Sequence, residues 1–151
     1  VKMIEIENIR SIGEIEEEIV SEFTIFDEWL DKYEYLIELG KELESINESD
    51  KTDDNLIRGC QSRVWLVCRS SGGRLWFGAD SDAVITKGII SLLIKVYNGQ
   101  RYDDIIASDF SFIEQIGLKE NLSPTRANGL LSMIKQIKAY ALAYKEKEAQ
   151  Q

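Results

Sequence analysis

Apolar residues in FTIFDEWLDKYEYLIELG fall at helical intervals, with Phe26, Leu30, Tyr33 and Ile37 three or four positions apart. This spacing predicts an amphipathic helix, and Gly40 is a good residue to end it. The pattern then dissolves into KELESINESDKTDDN, residues 41–55, which predicts a loop of about 10 to 15 residues, a length that in a compact domain tends to carry function. At SRVWLVCR the period shortens to two. Val64, Leu66 and Cys68 take one side and Arg63, Trp65, Val67 and Arg69 the other, which predicts a half-buried strand. SSGG, residues 70–73, turns the chain, and RLWFGAD returns as the second strand of an antiparallel hairpin. Asn55 to Ile57 offers a short third strand.

The rest of the chain reads as helix. Ser81 is a good N-cap, and DAVITKGIISLLIKVYNG is apolar almost all round, the mark of a central buried helix. RYDDIIA and DFSFIEQIG predict two short helices, the second closed by Gly117. Ser123 followed by Pro124 is a strong helix start, and Leu130, Ile134, Ile137 and Ala141 then share one face. Residues 1–20, rich in Glu and Ile, read as a short helix or a loosely attached N-terminal extension, and residues 145–151 as a frayed, charged tail. Helices, a small antiparallel sheet and more helices define an α+β fold, with residues 1–151 as one domain.

Composition narrows the chemistry. The net charge of −9 is unevenly placed: residues 1–54 hold 18 acidic and 5 basic side chains, net −13, and residues 55–151 hold 9 and 13, net +4. The acidic half is a solvated helix face or a docking surface for a basic partner. With no basic stripe interleaved with aromatics, nucleic acid is not the expected partner. No apolar run approaches the roughly 20 residues of a membrane span, and VKMIEIENIR lacks the pattern of a signal peptide, so the expected address is cytoplasmic. There is no histidine, which excludes Ser-His-Asp and Cys-His catalysis and His-ligated metals. Two cysteines, Cys60 and Cys68, cannot form a four-thiolate site, so unless carboxylates alone hold an ion, no metal or other cofactor is expected.

The two cysteines differ. Cys68, on the face of Val64 and Leu66, reads as a small buried hydrophobe. Cys60, in NLIRGCQSR, follows Gly59, which permits a sharp turn, and stands between Arg58 and Arg63, whose charges favour a thiolate. These features leave two readings of Cys60 open, a reactive thiol and a plain loop cysteine. A disulfide between them is disfavoured: eight extended residues span roughly 26 Å, and a bridge needs Cα atoms within about 7 Å.

The run IRGCQSRVWL resembles the signature of SufE-type sulfur-acceptor proteins, in which a Gly-Cys-Gln-Ser sequence leads into a Val-Trp strand. YEYLIELGKEL, DSDAVITKGIISLL and LSPTRANGLLSMI are similar to further family segments in the same order, so the resemblance covers roughly residues 20–144. It implies an α+β fold related to that of IscU-type iron–sulfur scaffolds, and an accessory protein rather than an enzyme. Cys60 would take the terminal sulfur of the persulfide on a pyridoxal-phosphate-dependent, SufS-like cysteine desulfurase, stimulate that enzyme, and pass sulfur to a SufBCD-like scaffold complex. Gly59, Gln61 and Ser62 would form its reactive loop, Arg126 would stabilise the thiolate or persulfide, and Asp82 would contact the loop or a partner. Lys87 matches the start of the family's central helix, although a solvated side chain explains it as simply. The sequence departs from the family in residues 1–20 and in carrying Cys68 at an apolar position. Thiol redox chemistry through a sulfenic acid on Cys60, or a binding module without covalent chemistry, are the competing functions. Monomer and homodimer are both compatible with the residues.

Overall fold

The computed structural model describes residues 5–150. Helix α1 (Ile12–Ile25) begins at Ser11, whose hydroxyl accepts from the Glu14 amide, and buries Ile15, Ile19 and Phe23 at four-residue spacing. Residues 12–20 are therefore part of the core, not a loose extension; the first four residues of the expected extension lie outside the described residues.

Helix α2 (Trp29–Glu42) differs from expectation at two points. Leu30 is 63% exposed, and the inward face belongs to Leu36 and Gly40. Gly40 does not end the helix. It lies against Gly88 of helix α3 (Val84–Tyr97): a Cβ on Gly40 would stand 3.1 Å from the Gly88 amide nitrogen, and one on Gly88 only 2.3 Å from the Leu36 carbonyl oxygen. Two glycines let the helix backbones touch, and this contact sets which face of α2 turns inward. α3 is the predicted buried helix, with ten buried residues. Its N-cap is Ala83; Ser81 acts two residues earlier, its hydroxyl accepting from the Ala83 amide.

Strands β1 (Val64–Ser71) and β2 (Arg74–Ser81) pair antiparallel from Val64 with Ser81 to Ser71 with Arg74. Gly72 and Gly73 form the two-residue turn with φ of 60° and 77°, as a primed hairpin turn requires. Both sheet edges are covered. Residues 98–101 run along β2, with the Leu75 amide donating to the Gln100 carbonyl at 2.9 Å and the Gly99 amide to the Leu75 carbonyl at 2.7 Å. Along β1, the third strand suggested for Asn55 to Ile57 shrinks to a bridge of Leu56 with Trp65. Beyond it, hydroxyls of helix α6 (Pro124–Ala149) take over: Tyr140 donates to the Leu66 carbonyl and Tyr144 to that of Cys68. Every such bond satisfies a backbone group that a two-stranded sheet leaves open. The result is an α+β fold, with the short helices α4 (Tyr102–Ala107) and α5 (Phe112–Gln115) leading to α6.

α6 starts at Ser123 and Pro124 as the sequence predicts, and buries Leu130, Met133, Ile137 and Ala141, with Ile134 only half-buried. It stays helical to Ala149, so the expected fraying from residue 145 is not seen; Lys145 pairs with Asp103 at 2.6 Å. Residues 43–55 run through two short 3₁₀ turns and are fastened by Asp80, which is 7% exposed at the end of β2. Asp80 accepts from Lys51 at 2.8 Å, from Lys87 at 3.2 Å, from the Ser81 amide at 2.8 Å and from the Ser45 hydroxyl at 3.4 Å. Burial pushes its carboxyl up, but the bonds from Lys51, the Ser81 amide and Lys87 together outweigh burial and hold it below the ordinary value.

Gly88→Ala is expected to cost about 1–3 kcal/mol, because backbone must move to admit the methyl group, although alanine favours helix by up to about 1 kcal/mol. Gly40→Ala should cost less, and urea unfolding midpoints at unchanged slope check both. Asp80→Asn should cost about 2 kcal/mol by leaving two partly solvated lysines beside a neutral amide. The Asp80 folded value lies below the unfolded value of about 3.9. Its contribution is thus complete above about pH 4 and is lost as pH falls through the folded value, so the stability gap between wild type and Asp80→Asn should narrow below about pH 4.

Candidate functional site

The segment from Arg58 to Arg63 leaves the Leu56 bridge and enters β1, and both of its ends are tied. The Ile57 amide donates to the Val64 carbonyl at 2.8 Å across its base. At the β1 end the Asp82 carboxylate accepts from the Arg63 amide at 3.0 Å, and the Arg63 carbonyl accepts from the Ser81 hydroxyl at 2.8 Å and the Asp82 amide at 3.2 Å. Asp82 is exposed and clamps the loop's stem.

The tip lies on α6. Gly59 has φ of 94°, and a Cβ there would come within 2.3 Å of the Ser132 hydroxyl oxygen. The Cys60 thiol donates to the Gly129 carbonyl at 3.6 Å, and a Cβ on Gly129 would sit 3.3 Å from the sulfur. Glycine is needed on both surfaces for the loop to come this close. A cleft of about 380 Å³ opens beside the thiol. Cys60, Gln61 and Ser62 form its loop wall, Thr86 and Ile89 its α3 wall, and Ser123, Thr125, Arg126, Gly129 and Met133 its α6 wall.

The structure thus brings Cys60, Gln61, Ser62 and Arg126 to one cleft, places Gly59 beneath it and Asp82 at its stem. Lys87 turns to Asp80 instead, and Cys68 does not line the cleft. The expectation that Arg58 and Arg63 would favour a resting thiolate is corrected. Burial raises the Cys60 thiol above its ordinary value with no offsetting charge, and both arginines are exposed. Cys68 is half-buried rather than buried, and its thiol is pushed up to about 12, by burial foremost. Among the described residues no three His, Cys, Asp or Glu side chains come together as a metal site, and no helix is long and apolar enough to cross a membrane.

Thr86, Gly129 and Asp80 escaped sequence reasoning. Gly129, a glycine inside a predicted helix, and Asp80, a charge closing an apolar strand, were the available signals. Thr86 gave none, because its place on the cleft depends on where α3 crosses α6.

The fold and site together are those of a small α+β domain with a loop thiol seated over a helix glycine. Residues 17–141 match the family model described as "SufE: Fe-S metabolism associated domain", and the chain belongs to the SufE family, which places it in iron–sulfur metabolism. It is 42% identical over 130 residues to an uncharacterised SufE-like protein of Rhizobium etli, covering 83% of this chain and 88% of that one. It is 41% identical over 130 residues to another from Rhizobium meliloti, covering 83% and 93%. The solution structure of a hypothetical protein from Thermus thermophilus shares the fold, with TM-score 0.71 over 85% of this chain and 94% of that one, at 17% identity.

Alkylation of Cys60 by iodoacetamide should show a midpoint above the about 8.5 of a free thiol, the rate rising as pH rises. Gly129→Ala should unseat the sulfur and draw that midpoint down towards the free value, while the helix gains about 0.5–1 kcal/mol. An unchanged midpoint would show that the seat on α6 is not what buries the thiol.

Proposed function

We propose that Cys60 accepts the terminal sulfur of a persulfide from a pyridoxal-phosphate-dependent cysteine desulfurase, and that the chain stimulates that enzyme and delivers the sulfur to an iron–sulfur scaffold complex. The observation that carries this reading is a single loop thiol opening onto a polar-walled cleft, in a chain of the SufE family without histidine.

The chemistry needs only thiols. The Cys60 thiolate attacks the terminal sulfur of the donor persulfide, the donor's S–S bond breaks, and the donor cysteine leaves as a thiolate. In delivery the acceptor thiolate attacks the terminal sulfur of the Cys60 persulfide, and Cys60 leaves as thiolate. Neither step consumes an oxidant or reductant. At rest burial keeps Cys60 protonated, which protects it from oxidation and stray electrophiles. Loading then calls for the loop to lift from α6 towards the donor, where the thiol regains solvent and its ordinary acidity. Arg126 lines the cleft to which the sulfur returns and suits a persulfide anion. Asp82, by holding the stem, restricts the lift to the loop tip. A sulfenic-acid redox cycle has less support, because among the described residues no second thiol lines the cleft to resolve it.

With radiolabelled cysteine and a cysteine desulfurase, label sensitive to reductant should appear on the wild type and on Cys68→Ser. Cys60→Ser should take none. A wild type that stays unlabelled while the desulfurase itself turns over would overturn the reading.

A further inference from the structure

The α3 wall of the cleft holds a hydroxyl that the fold does not use. Thr86 is only 8% exposed and lines the cleft opposite Cys60. Serine and threonine hydroxyls buried in helices ordinarily bond back to a carbonyl in the preceding turn. Ser91, one and a half turns along the same helix, does so, donating to the Lys87 carbonyl at 2.7 Å. The Thr86 hydroxyl has no hydrogen-bond partner among the described residues. Although the residue is more than nine-tenths buried, its hydroxyl is not sealed from solvent: it opens to the cleft and is free to donate to whatever the cleft holds. The cleft has room for a guest, since its 380 Å³ compares with about 30 Å³ for one water molecule.

We propose that Thr86 is a binding residue for the terminal sulfur of the Cys60 persulfide, its hydroxyl donating to that sulfur in the anionic form. The inference rests on the persulfide reading and adds the donor that holds the cargo. The cleft favours an anion from two other directions: the first turn of α6, capped by Ser123, and Arg126. Of the charged groups around Cys60, Arg126 comes from α6, and Arg58, Arg63 and Asp53 border the space on the loop's other side. From α3 only Thr86 and Ile89 reach the cleft, so the sole polar group on that wall is the Thr86 hydroxyl.

The function of the bond follows from the chemistry of loss. A small thiol strips the carrier by attack of its thiolate on the terminal sulfur of Cys60–S–SH. The S–S bond breaks, Cys60 leaves as thiolate and takes a proton from water, and the small thiol departs as its own persulfide. The attacked form is the protonated one, because an anionic sulfur repels a thiolate. A donor that stabilises the anion therefore shelters the cargo until a partner displaces the loop.

The test loads wild type, Thr86→Val and Thr86→Ser with labelled sulfur from a desulfurase, removes the enzyme, and follows loss of label to a small thiol across pH. Thr86→Val should lose label about tenfold faster near neutrality, the worth of one hydrogen bond to a charged group. The alkaline fall in its rate should move to higher pH, and Thr86→Ser should restore wild-type behaviour. If Thr86→Val melts well below wild type, Thr86→Ala carries the same comparison. A wild type that never loads fails the persulfide reading and this inference with it. A wild type that loads, with a Thr86→Val variant matching its rate and pH profile, overturns the role of Thr86 alone.

Discussion

A helix buried at ten of its fourteen positions must satisfy a different neighbour at almost every step, and α3 is built under that constraint. Four consecutive residues near its start show it. Thr86 and Ile89, three apart, face the cleft; Lys87 turns to Asp80; Gly88 meets the backbone of α2. No neighbour can shift without disturbing another, because the helix couples them rigidly within one turn. The Asp80 cluster fixes the end of β2, and the next two residues, Ser81 and Asp82, hold the stem of the Cys60 loop. The position of the thiol thus depends on how α3 is buried, although that helix begins more than twenty residues along the chain from the cysteine.

The loop is fixed unevenly. Its stem has three hydrogen bonds around Arg63, whereas its tip has one weak thiol-to-carbonyl bond and close contact between glycines and α6. Net contributions of single hydrogen bonds run near 1 kcal/mol. Lifting the tip is therefore cheap beside the about 8 kcal/mol released by a partner that docks with micromolar affinity. Under the persulfide reading this asymmetry matters: the stem keeps the loop in register with β1, and the tip is free to exchange partners.

Elements with strong local signals were legible in the sequence. Period-two alternation located β1, Gly72 and Gly73 the turn, Ser123 and Pro124 the start of α6, and the apolar run of residues 84–97 the buried helix. What failed were the points where tertiary contact overrode a local rule. Gly40 looks like a helix stop, yet it serves a close approach to Gly88 that no local pattern encodes. Residues 12–20 look too acidic for a core element, yet three positions of α1 at four-residue spacing suffice to anchor it. At the site, Cys60, Gln61, Ser62 and Arg126 were found through residue chemistry and family resemblance together. The protonation state of Cys60 was not, because flanking arginines in sequence are not neighbours in space, and burial outweighs charges that point into water.

Burial raises both thiols, so acidity at rest is not what separates them. Cys68 lies in a strand whose carbonyls are held by Tyr140 and Tyr144 of α6, and its thiol, pushed up to about 12, is almost wholly un-ionised at neutral pH. Cys60 is half-buried by a loop tip that rests on a helix glycine through one weak thiol bond, so under the persulfide reading a small displacement would return it to solvent. Beside it lies a cleft with a cation, a helix N-terminus and an unused hydroxyl, all suited to an anion larger than the thiolate alone. Under the persulfide reading, a thiol that is protonated when seated and regains its acidity when lifted, beside space for one more sulfur, meets what carrying sulfur between two partners demands.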